Sequence, residues 1–443
     1  MRKLLFNVCA LLVLLTSCGK EFLDIKREAS QVIPYRIYDY QAILDNSRIM
    51  NYSTSFELIL LGSDEYILRE GVWETANPLY YTHIKNGYVW WDDVYEDRDV
   101  TDWNSAYQRI LYANMALDVE LLKPGQHEVA EWNNVRGQAL FYRAFAYYQL
   151  VQAFCKPYNP ATANSDAGIP IRLHYDLTVS SYLGTVQDVY DQILSDLLQA
   201  VELLPVLAIH NYRPSQLAAY ALLARIYREL DLWDKTLEAA TYVLSQKQDL
   251  LDYNEFDPTI TYPFSALNRG LNNKEVIFYC HTSAGLLQSG GVVQDKIYQL
   301  YEDSDMRKQL FFKSGRFYGS YASSNFFTGL AVDEVLLIRA EAHLKNGATD
   351  QALADLKYLW KHRYRDGIFP DIQYRPEELK QVLEQERSKE LYMRGVRWSD
   401  MRKENVRGAG NVEVVRVVGG TEYRLSPNDP KWVWPWPKSE VTE

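Results

Sequence analysis

The stretch Ala218-Ala219-Tyr220-Ala221-Leu222-Leu223-Ala224-Arg225-Ile226-Tyr227 carries the packing pattern that decides the fold. Its large and small side chains alternate at helical spacing, so that they share one face of a helix. The same spacing recurs in two other segments, at Leu140, Ala144 and Tyr147 and at Leu336, Ala340 and His343. A small alanine between larger groups lets two helices approach closely. The three segments therefore predict closely packed helix pairs.

This pattern resembles the tetratricopeptide helix pair, although the three units are not evenly spaced along the chain. Ala144 and Ala224 are 80 residues apart and Ala224 and Ala340 are 116 apart, against a usual period of about 34. We expect helix pairs near 102–204, 215–246 and 332–363. Within the first of these, Val186–Leu204 and a helix from about Asp102 to Leu122 are the expected partners.

Three insertions between these pairs are rich in Tyr, Trp, Asn, Gly and Pro, at 62–101, 155–185 and 250–330. They predict long loops, which in a compact protein are usually functional. Near the C-terminus, Val412–Val418 and Thr421–Leu425 flank Gly419-Gly420, a two-residue hairpin pattern. The expected fold is mainly α, a tetratricopeptide-like helical-pair scaffold with long loop insertions and a small C-terminal β-hairpin.

The first residues have the pattern of an exported lipoprotein. Arg2 and Lys3 precede an apolar run, Leu4 to Leu15, that is too short to span a bilayer, as in a secretory signal peptide. Leu15-Thr16-Ser17-Cys18-Gly19 resembles a bacterial lipobox, which predicts lipidation at Cys18 and removal of residues 1–17. No linker of biased composition interrupts residues 18–443, so a single domain is expected there.

Composition and motifs argue against several classes of function. The formal net charge is −11, from 47 basic and 58 acidic residues, which argues against nucleic-acid binding because phosphate contacts need clustered cations. No nucleophile elbow, zinc-protease or phosphate-loop motif occurs, and the seven histidines are scattered. We therefore predict a protein that is not an enzyme and has no cofactor or metal site.

Two features of the sequence leave alternatives open. The acidic residues from Asp92 to Asp102 lack the glycine of a tight calcium loop, and a solvated loop is the favoured interpretation, with calcium binding left open. Cys155 and Cys280 are able to form a disulfide after export, yet two buried thiols are an equal alternative.

Aromatic residues are the compositional outlier, with 11 Trp, 34 Tyr and 15 Phe. Many lie between Gly62 and Trp103, among amides and carboxylates. Sugar rings stack on aromatic faces while polar groups bond their hydroxyls, so this region predicts a ligand site. Trp103 begins a helix and is expected in the core. The candidate ligand residues are Trp73, Asn77, Tyr80, Tyr81, Trp90 and Trp91.

Several blocks resemble the SusD/RagB family of outer-membrane nutrient-binding lipoproteins. They span the mature chain and comprise Cys18-Gly19-Lys20-Glu21-Phe22-Leu23-Asp24, Gly168-Ile169-Pro170-Ile171, Ala218–Tyr227, Glu386–Leu391, Gly395–Arg402 and Trp434–Glu440. Within the most specific of these blocks, Arg387, Glu390, Arg397 and Asp400 are expected to pair inside a packed helical face.

The resemblance implies a lipid-anchored, surface-exposed outer-membrane protein that binds an oligosaccharide and works with a SusC-like TonB-dependent transporter. Uptake of a peptide or glycopeptide is the first alternative. A lipid-anchored scaffold whose helical repeats hold another protein is the second. The family's ligand residues lie in variable loops, so the resemblance transfers no ligand-binding position to this chain.

Overall fold

The computed structural model describes residues 34–440 apart from Ser53, Leu177, Asn268, Arg269, Asp371 and Ala409. The expected signal peptide and the lipidation of Cys18 lie outside the described residues. The helices are α1 (Ile37–Leu44), α2 (Ser47–Met50), α3 (Glu57–Gly62), α4 (Val72–Thr75), α5 (Pro78–Tyr88), α6 (Thr101–Leu117), α7 (Val129–Phe154), α8 (Val186–Leu203), α9 (Gln216–Glu229), α10 (Trp233–Gln246), α11 (Gly285–Gly290), α12 (Asp295–Tyr298), α13 (Met306–Phe311), α14 (Val332–Lys345), α15 (Thr349–Lys361), α16 (Pro376–Glu390) and α17 (Arg397–Arg407).

The long helices pack in series, each against the next. Helix α7 lies between α6 and α8, α9 packs on α8 and α10, and α14 contacts α10, α15 and α16. Ala144, Ala224 and Ala340 are fully buried at these contacts. Their methyl groups keep the interhelical distance short. The predicted mainly α fold, with its tetratricopeptide-like pairs, is confirmed.

Short antiparallel strand pairs decorate this scaffold. The pairs are β1 (Tyr66–Leu68) with β6 (Gly291–Val293), β2 (Ala167–Ile171) with β3 (Tyr182–Thr185), β4 (Val276–Phe278) with β10 (Leu330–Ala331), β5 (His281–Thr282) with β9 (Phe326–Phe327), β7 (Phe312–Lys313) with β8 (Arg316–Phe317), and β11 (Val414–Val418) with β12 (Thr421–Leu425). The last pair turns at Gly419-Gly420, so the predicted C-terminal hairpin is confirmed.

The expectation that residues 62–101 form only a loop is wrong. Helix α5 occupies the middle of this insertion, where Asn77 caps its N-terminus by accepting a hydrogen bond from the Leu79 N–H at 2.9 Å. Pro78 at the first helical position suits a helix start, because its missing N–H would be unpaired there. The insertion is therefore a folded element that packs against the scaffold.

The charges of the C-terminal blocks pair inside the fold, as expected. Arg387 Nε donates to Asp400 at 2.8 Å, and Arg397 holds Asp64 with bonds of 2.7 and 2.9 Å. Glu390 accepts from Arg363 Nε at 2.9 Å. These pairs fix the positions of helices α16 and α17 within the fold.

The two cysteines outside the N-terminal region are free and buried. Burial raises the pKa of Cys155 to about 12 and that of Cys280 to about 11, so both remain thiols at neutral pH. Of the two open alternatives, the structure has two buried thiols.

The acidic segment from Asp92 to Asp102 is only partly the solvated loop that its composition predicts. Lys438 bonds both Asp93 at 3.0 Å and Asp97 at 2.6 Å. Asp102 is buried, where it accepts the backbone N–H of Leu58 at 2.8 Å at the start of α3. For Asp102 the prediction of a solvated carboxylate is wrong, because this side chain caps a helix from inside the core.

Asp102 makes folding stability depend on pH. Burial, together with the charge of Glu57, raises the pKa of Asp102 to about 7. Between about pH 4 and 7 the folded protein keeps a proton that the unfolded chain has released. The stabilisation is therefore complete at low pH and is lost as the pH rises through 7.

We expect Asp102→Asn to flatten this dependence, since the amide does not titrate. The lost slope should approach about 1.4 kcal/mol per pH unit at most. Urea unfolding of both proteins at about pH 5, 6, 7 and 8 measures it. Equal slopes for the two proteins would show that Asp102 does not titrate in this range.

Candidate functional site

An aromatic and polar cavity of about 280 Å³ lies beside helix α11 and is the best candidate for a ligand site. The insertion 250–330 provides most of its walls, and Tyr66 and Tyr392 reach it from elsewhere in the chain. Ligand pockets usually measure roughly 300–1,000 Å³, so this cavity has room for one sugar unit of a longer chain.

The β7–β8 hairpin carries one wall of this cavity. Ser314 and Gly315 form its turn with φ of 50° and 76°, the left-handed pair that a tight two-residue hairpin requires. The turn places Arg316, Phe317 and Tyr318 along the cavity. A rigid hairpin therefore presents one cation and two aromatic rings side by side.

Aromatic rings and amides both line the cavity. Tyr262 and Tyr318 meet edge to face, with ring centroids 5.2 Å apart. Gln288 donates to the Ser324 carbonyl at 2.7 Å and to Asn325 Oδ1 at 3.1 Å, which holds both amides in place. This arrangement combines stacking surfaces with fixed hydrogen-bonding groups, the combination that carbohydrate binding uses.

Burial governs the ionisation of the groups at the base of the cavity. It raises the pKa of Tyr392 well above its ordinary value. Glu65 lies behind this base, where it accepts the Met393 N–H at 2.7 Å, and burial raises its pKa to about 7. Tyr392 is therefore neutral at neutral pH, and Glu65 is partly protonated there.

Two of the predicted ligand residues, Tyr80 and Tyr81, lie on helix α5. Tyr80 is 67% exposed and meets Tyr81 edge to face at 6.4 Å. The Tyr81 ring approaches within 3.4 Å of the point where a Cβ on Gly285 would lie, and Gly285 lines the cavity. The structure thus brings Tyr80 and Tyr81 next to the cavity wall.

Trp73 and Asn77 have other local contacts. The Trp73 indole N–H donates to the Lys85 carbonyl at 2.9 Å, and the Lys85 ammonium lies 4.7 Å from the ring centroid. Asn77 caps α5, as described above. Trp73 is half-buried with one face close to a cation, so it offers less stacking surface than Tyr80.

Trp90 and Trp91 differ in how much of each side chain is exposed. Trp90 is 2% exposed and stacks with the Arg416 guanidinium at 4.5 Å, so it packs mainly in the core, although its edge lines a second cavity. Trp91 is 55% exposed beside this cavity, which measures about 230 Å³ and which Pro430 and Pro435 help to line. Both tryptophans line this second cavity, and Trp91 has the larger exposed surface for stacking.

A larger cleft of about 950 Å³ lies between α16, α17 and the α9–α10 turn. Several of its charges are already paired: Arg228 bonds Asp400 at 2.6 Å and Lys403 bonds Asp231 at 2.8 Å. Because few aromatic side chains line it, the cleft suits a sugar less well than the cavity beside α11 does.

The sequence prediction named the insertion 250–330 as a ligand-binding region without choosing residues in it. The structure singles out Tyr262, Gln288, Arg316, Tyr318 and Asn325. Residues 316–327, RFYGSYASSNFF, mix Tyr, Ser and Asn as the earlier aromatic segment does. Arg316, Tyr318 and Asn325 were therefore predictable from the composition of this stretch.

Comparison with known protein families identifies the family of this chain. A family model described as starch-binding and associating with the outer membrane matches residues 21–228, and the SusD family model matches residues 248–442. The chain belongs to the SusD/RagB family. The predicted resemblance is thereby confirmed over nearly all of the described residues of this SusD-like protein.

Individual relatives agree with this assignment. The chain is 31% identical over 199 residues to SusD-like protein P2 of Formosa agariphila, a match that covers 44% of this chain and 36% of that relative's length. A SusD superfamily structure from Bacteroides fragilis shares 20% identity with a TM-score of 0.72, covering 92% of this chain and 98% of its own. A SusD-like carbohydrate binding protein from Bacteroides vulgatus shares 18% identity with a TM-score of 0.68, covering 91% and 96%. At these identities the two structures establish the fold of this SusD-like protein.

Within the described residues of the SusD-like chain, no helix has both the length and the apolar character that crossing a membrane demands.

Proposed function

We propose that this SusD-like protein is a cell-surface lipoprotein that binds oligosaccharide and delivers it to a SusC-like TonB-dependent transporter in the outer membrane. The observation that carries the proposal is the cavity beside α11, with its Tyr262–Tyr318 pair and its fixed amides Gln288 and Asn325. Family membership supports the outer-membrane setting and the transporter partner. The lipobox pattern at Cys18 supports a lipid anchor.

In this proposal the Tyr262–Tyr318 pair stacks on the apolar face of a sugar ring. Gln288 and Asn325 bond its hydroxyls. Tyr80 and Tyr81 extend the surface for the units that follow, and Trp73 and Asn77 support them through helix α5. Trp91, beside the second cavity, provides a separate stacking position.

Peptide uptake is the competing proposal, because acidic residues such as those from Asp92 to Asp102 attract cationic peptides. In the structure Lys438 neutralises Asp93 and Asp97, and Lys431 bonds Asp92 at 2.8 Å. These pairs weaken the negative field that such steering needs. We therefore favour the oligosaccharide.

A glycan array with the purified protein tests the proposal, followed by calorimetric titration of the sugars retained. We expect binding without new reducing ends on prolonged incubation, as for a protein that is not an enzyme. Enzyme-like turnover of a bound glycan would contradict the proposal. So would binding of peptides alone, and recovery from outer membranes of a soluble protein partner without any barrel would favour the scaffold alternative.

Tyr318→Ala should weaken binding of the retained glycan by about 1–3 kcal/mol, the range found when an aromatic stacking platform is removed. The melting temperature should change little, since Tyr318 lies at the edge of the cavity. Tyr38→Ala is the matched control, because Tyr38 on α1 is an exposed tyrosine that does not line the cavity. Equal affinities of the two variants would show that Tyr318 does not contact the sugar.

A further inference from the structure

Arg316 has an incomplete set of hydrogen bonds at the wall of the cavity beside α11. Its Nη2 donates to the Gln288 carbonyl at 3.0 Å, while its Nε is buried without a partner. No hydrogen bond from its Nη1 to a described residue is present. The guanidinium carbon lies 5.5 Å from the Tyr318 ring centroid. Buried polar atoms are normally hydrogen-bonded, so this guanidinium has unused capacity.

Some arginines in the core of the same protein are paired with carboxylates, whereas others donate only to backbone carbonyls. Arg307, Arg363 and Arg394 each pair with at least one buried carboxylate, at distances from 2.6 to 2.9 Å. A desolvated guanidinium is costly unless it is paired in this way. Arg316 is half-buried and has only the neutral Gln288 carbonyl among the described residues, which leaves its charge uncompensated.

The surroundings of Arg316 do not supply a counter-charge. No aspartate or glutamate occurs among the described residues that line the cavity. Lys313, across the hairpin from Arg316, lies 5.8 Å from the Tyr318 ring centroid but has Asp257 nearby as a counter-charge, so Arg316 is the charged residue that lines the cavity. In a chain with a formal net charge of −11, this cavity is a locally cationic, aromatic-lined pocket.

We propose that the saccharide bound in this cavity carries an anionic substituent, a carboxylate or a sulfate ester, and that Arg316 binds this group. The inference rests on the proposed function and specifies its substrate class. The planar guanidinium suits either oxyanion, because its N–H groups are arranged to bond two oxygens at once. Tyr262 and Tyr318 stack on the ring of the same sugar, so charge and apolar face are recognised together.

Matched pairs of oligosaccharides test the inference. One arm compares trigalacturonate with its carboxyl-reduced galactose counterpart, and the other compares a sulfated galactan oligosaccharide with its desulfated form. Calorimetric titration should give at least about tenfold tighter binding of the anionic member in one arm, and the arm identifies the group as carboxylate or sulfate. Raising the salt concentration should reduce this preference, as expected for a charge-assisted contact.

Arg316→Gln should weaken binding of the anionic member about 10- to 100-fold, and this loss should be clearly larger than any loss for the neutral member. Arg375→Gln is the control, since it removes the same charge from the exposed N-terminus of α16, where the Arg375 side chain is 79% exposed. Arg316→Lys should keep part of the preference, because a cation remains in place.

Equal affinities of the wild-type protein for the charged and neutral members in both arms would overturn the inference and leave oligosaccharide binding standing. Equal losses in Arg316→Gln and Arg375→Gln would also overturn it, since overall charge would then explain the preference. Absence of binding to every glycan, on the array and in both arms, would overturn the proposed function together with the inference.

Discussion

Arg363→Met is expected to lower the free energy of unfolding by about 3–5 kcal/mol, the usual cost of removing one partner from a buried ion pair. The Arg363 side chain is fully buried between α15 and α16. It donates to Glu390 at 2.9 Å, to Glu275 at 2.8 Å and to the Leu251 carbonyl at 2.8 Å. No other single side chain described here links these two carboxylates.

The expected cost follows from what the substitution leaves behind. Glu275, Asp333 and Glu390 offer carboxylate oxygens within 4.8 Å of one another, all buried. Arg363 compensates the first and last of these, and Arg394 bonds Asp333 at 2.9 Å. Arginines therefore neutralise this acidic cluster. With Arg363 gone, Glu275 and Glu390 repel each other in a medium that screens poorly.

Urea unfolding of Arg363→Met and of two further variants measures the effect. Arg363→Lys keeps the charge but loses the forked guanidinium that bonds two carboxylates. Its free energy of unfolding should therefore lie between those of the wild-type protein and Arg363→Met. Arg375→Met removes an arginine from an exposed pair with Glu378 and should leave the unfolding midpoint unchanged. An Arg363→Met protein as stable as wild type would show that the cluster tolerates its uncompensated charges by protonation.

The helical scaffold was predictable because its information is local. The predicted partner helix Val186–Leu204 is observed as Val186–Leu203, since the apolar spacing, the Thr185 cap and Pro205 all lie within one segment. Helix pairs are recognisable in the same way from their alanines. Each of these patterns describes a helix face that packs on its neighbour, and neighbours in sequence are neighbours in space here.

The site was less predictable because distant residues build it. Asp64, which stands among the aromatic candidates in sequence, is buried in a pair with Arg397, 333 positions away. Trp90 is covered by Arg416 from β11, whereas its neighbour Trp91 is exposed. Composition identified the aromatic segment, but only the packing of other segments decides which of its rings face the solvent.

Trp398→Ala should lower the free energy of unfolding by about 3–5 kcal/mol, as for a large aromatic side chain in a close-packed core. Trp398 is the second residue of α17 and is fully buried. Its ring centroid lies 4.9 Å from that of Trp432 and 5.7 Å from that of Trp434. On its other side, a Cβ added to Gly62 would lie 2.5 Å from Trp398 Cε3, so the ring fills its space completely.

The position of Trp398 explains why the loss of stability should be large. Its ring joins α17 to α3 through Gly62 and to the C-terminal segment through Trp432 and Trp434. These three parts come from opposite ends of the chain. The cavity left by alanine would stay largely open, because its walls are rigid indoles and backbone that cannot move in to fill it. Thermal melts and urea unfolding should therefore report a large loss of stability for Trp398→Ala.

Trp91→Ala provides the matched comparison, because Trp91 is an exposed tryptophan whose truncation leaves no buried cavity. Its melting temperature should stay near that of the wild-type protein. For Trp398→Ala, glycan affinity per folded molecule should be unchanged, since Trp398 does not line the cavity beside α11. If Trp398→Ala instead kept its stability and lost glycan affinity, the C-terminal tryptophan cluster would belong to the binding site, and the division between scaffold and site drawn from these contacts would be wrong.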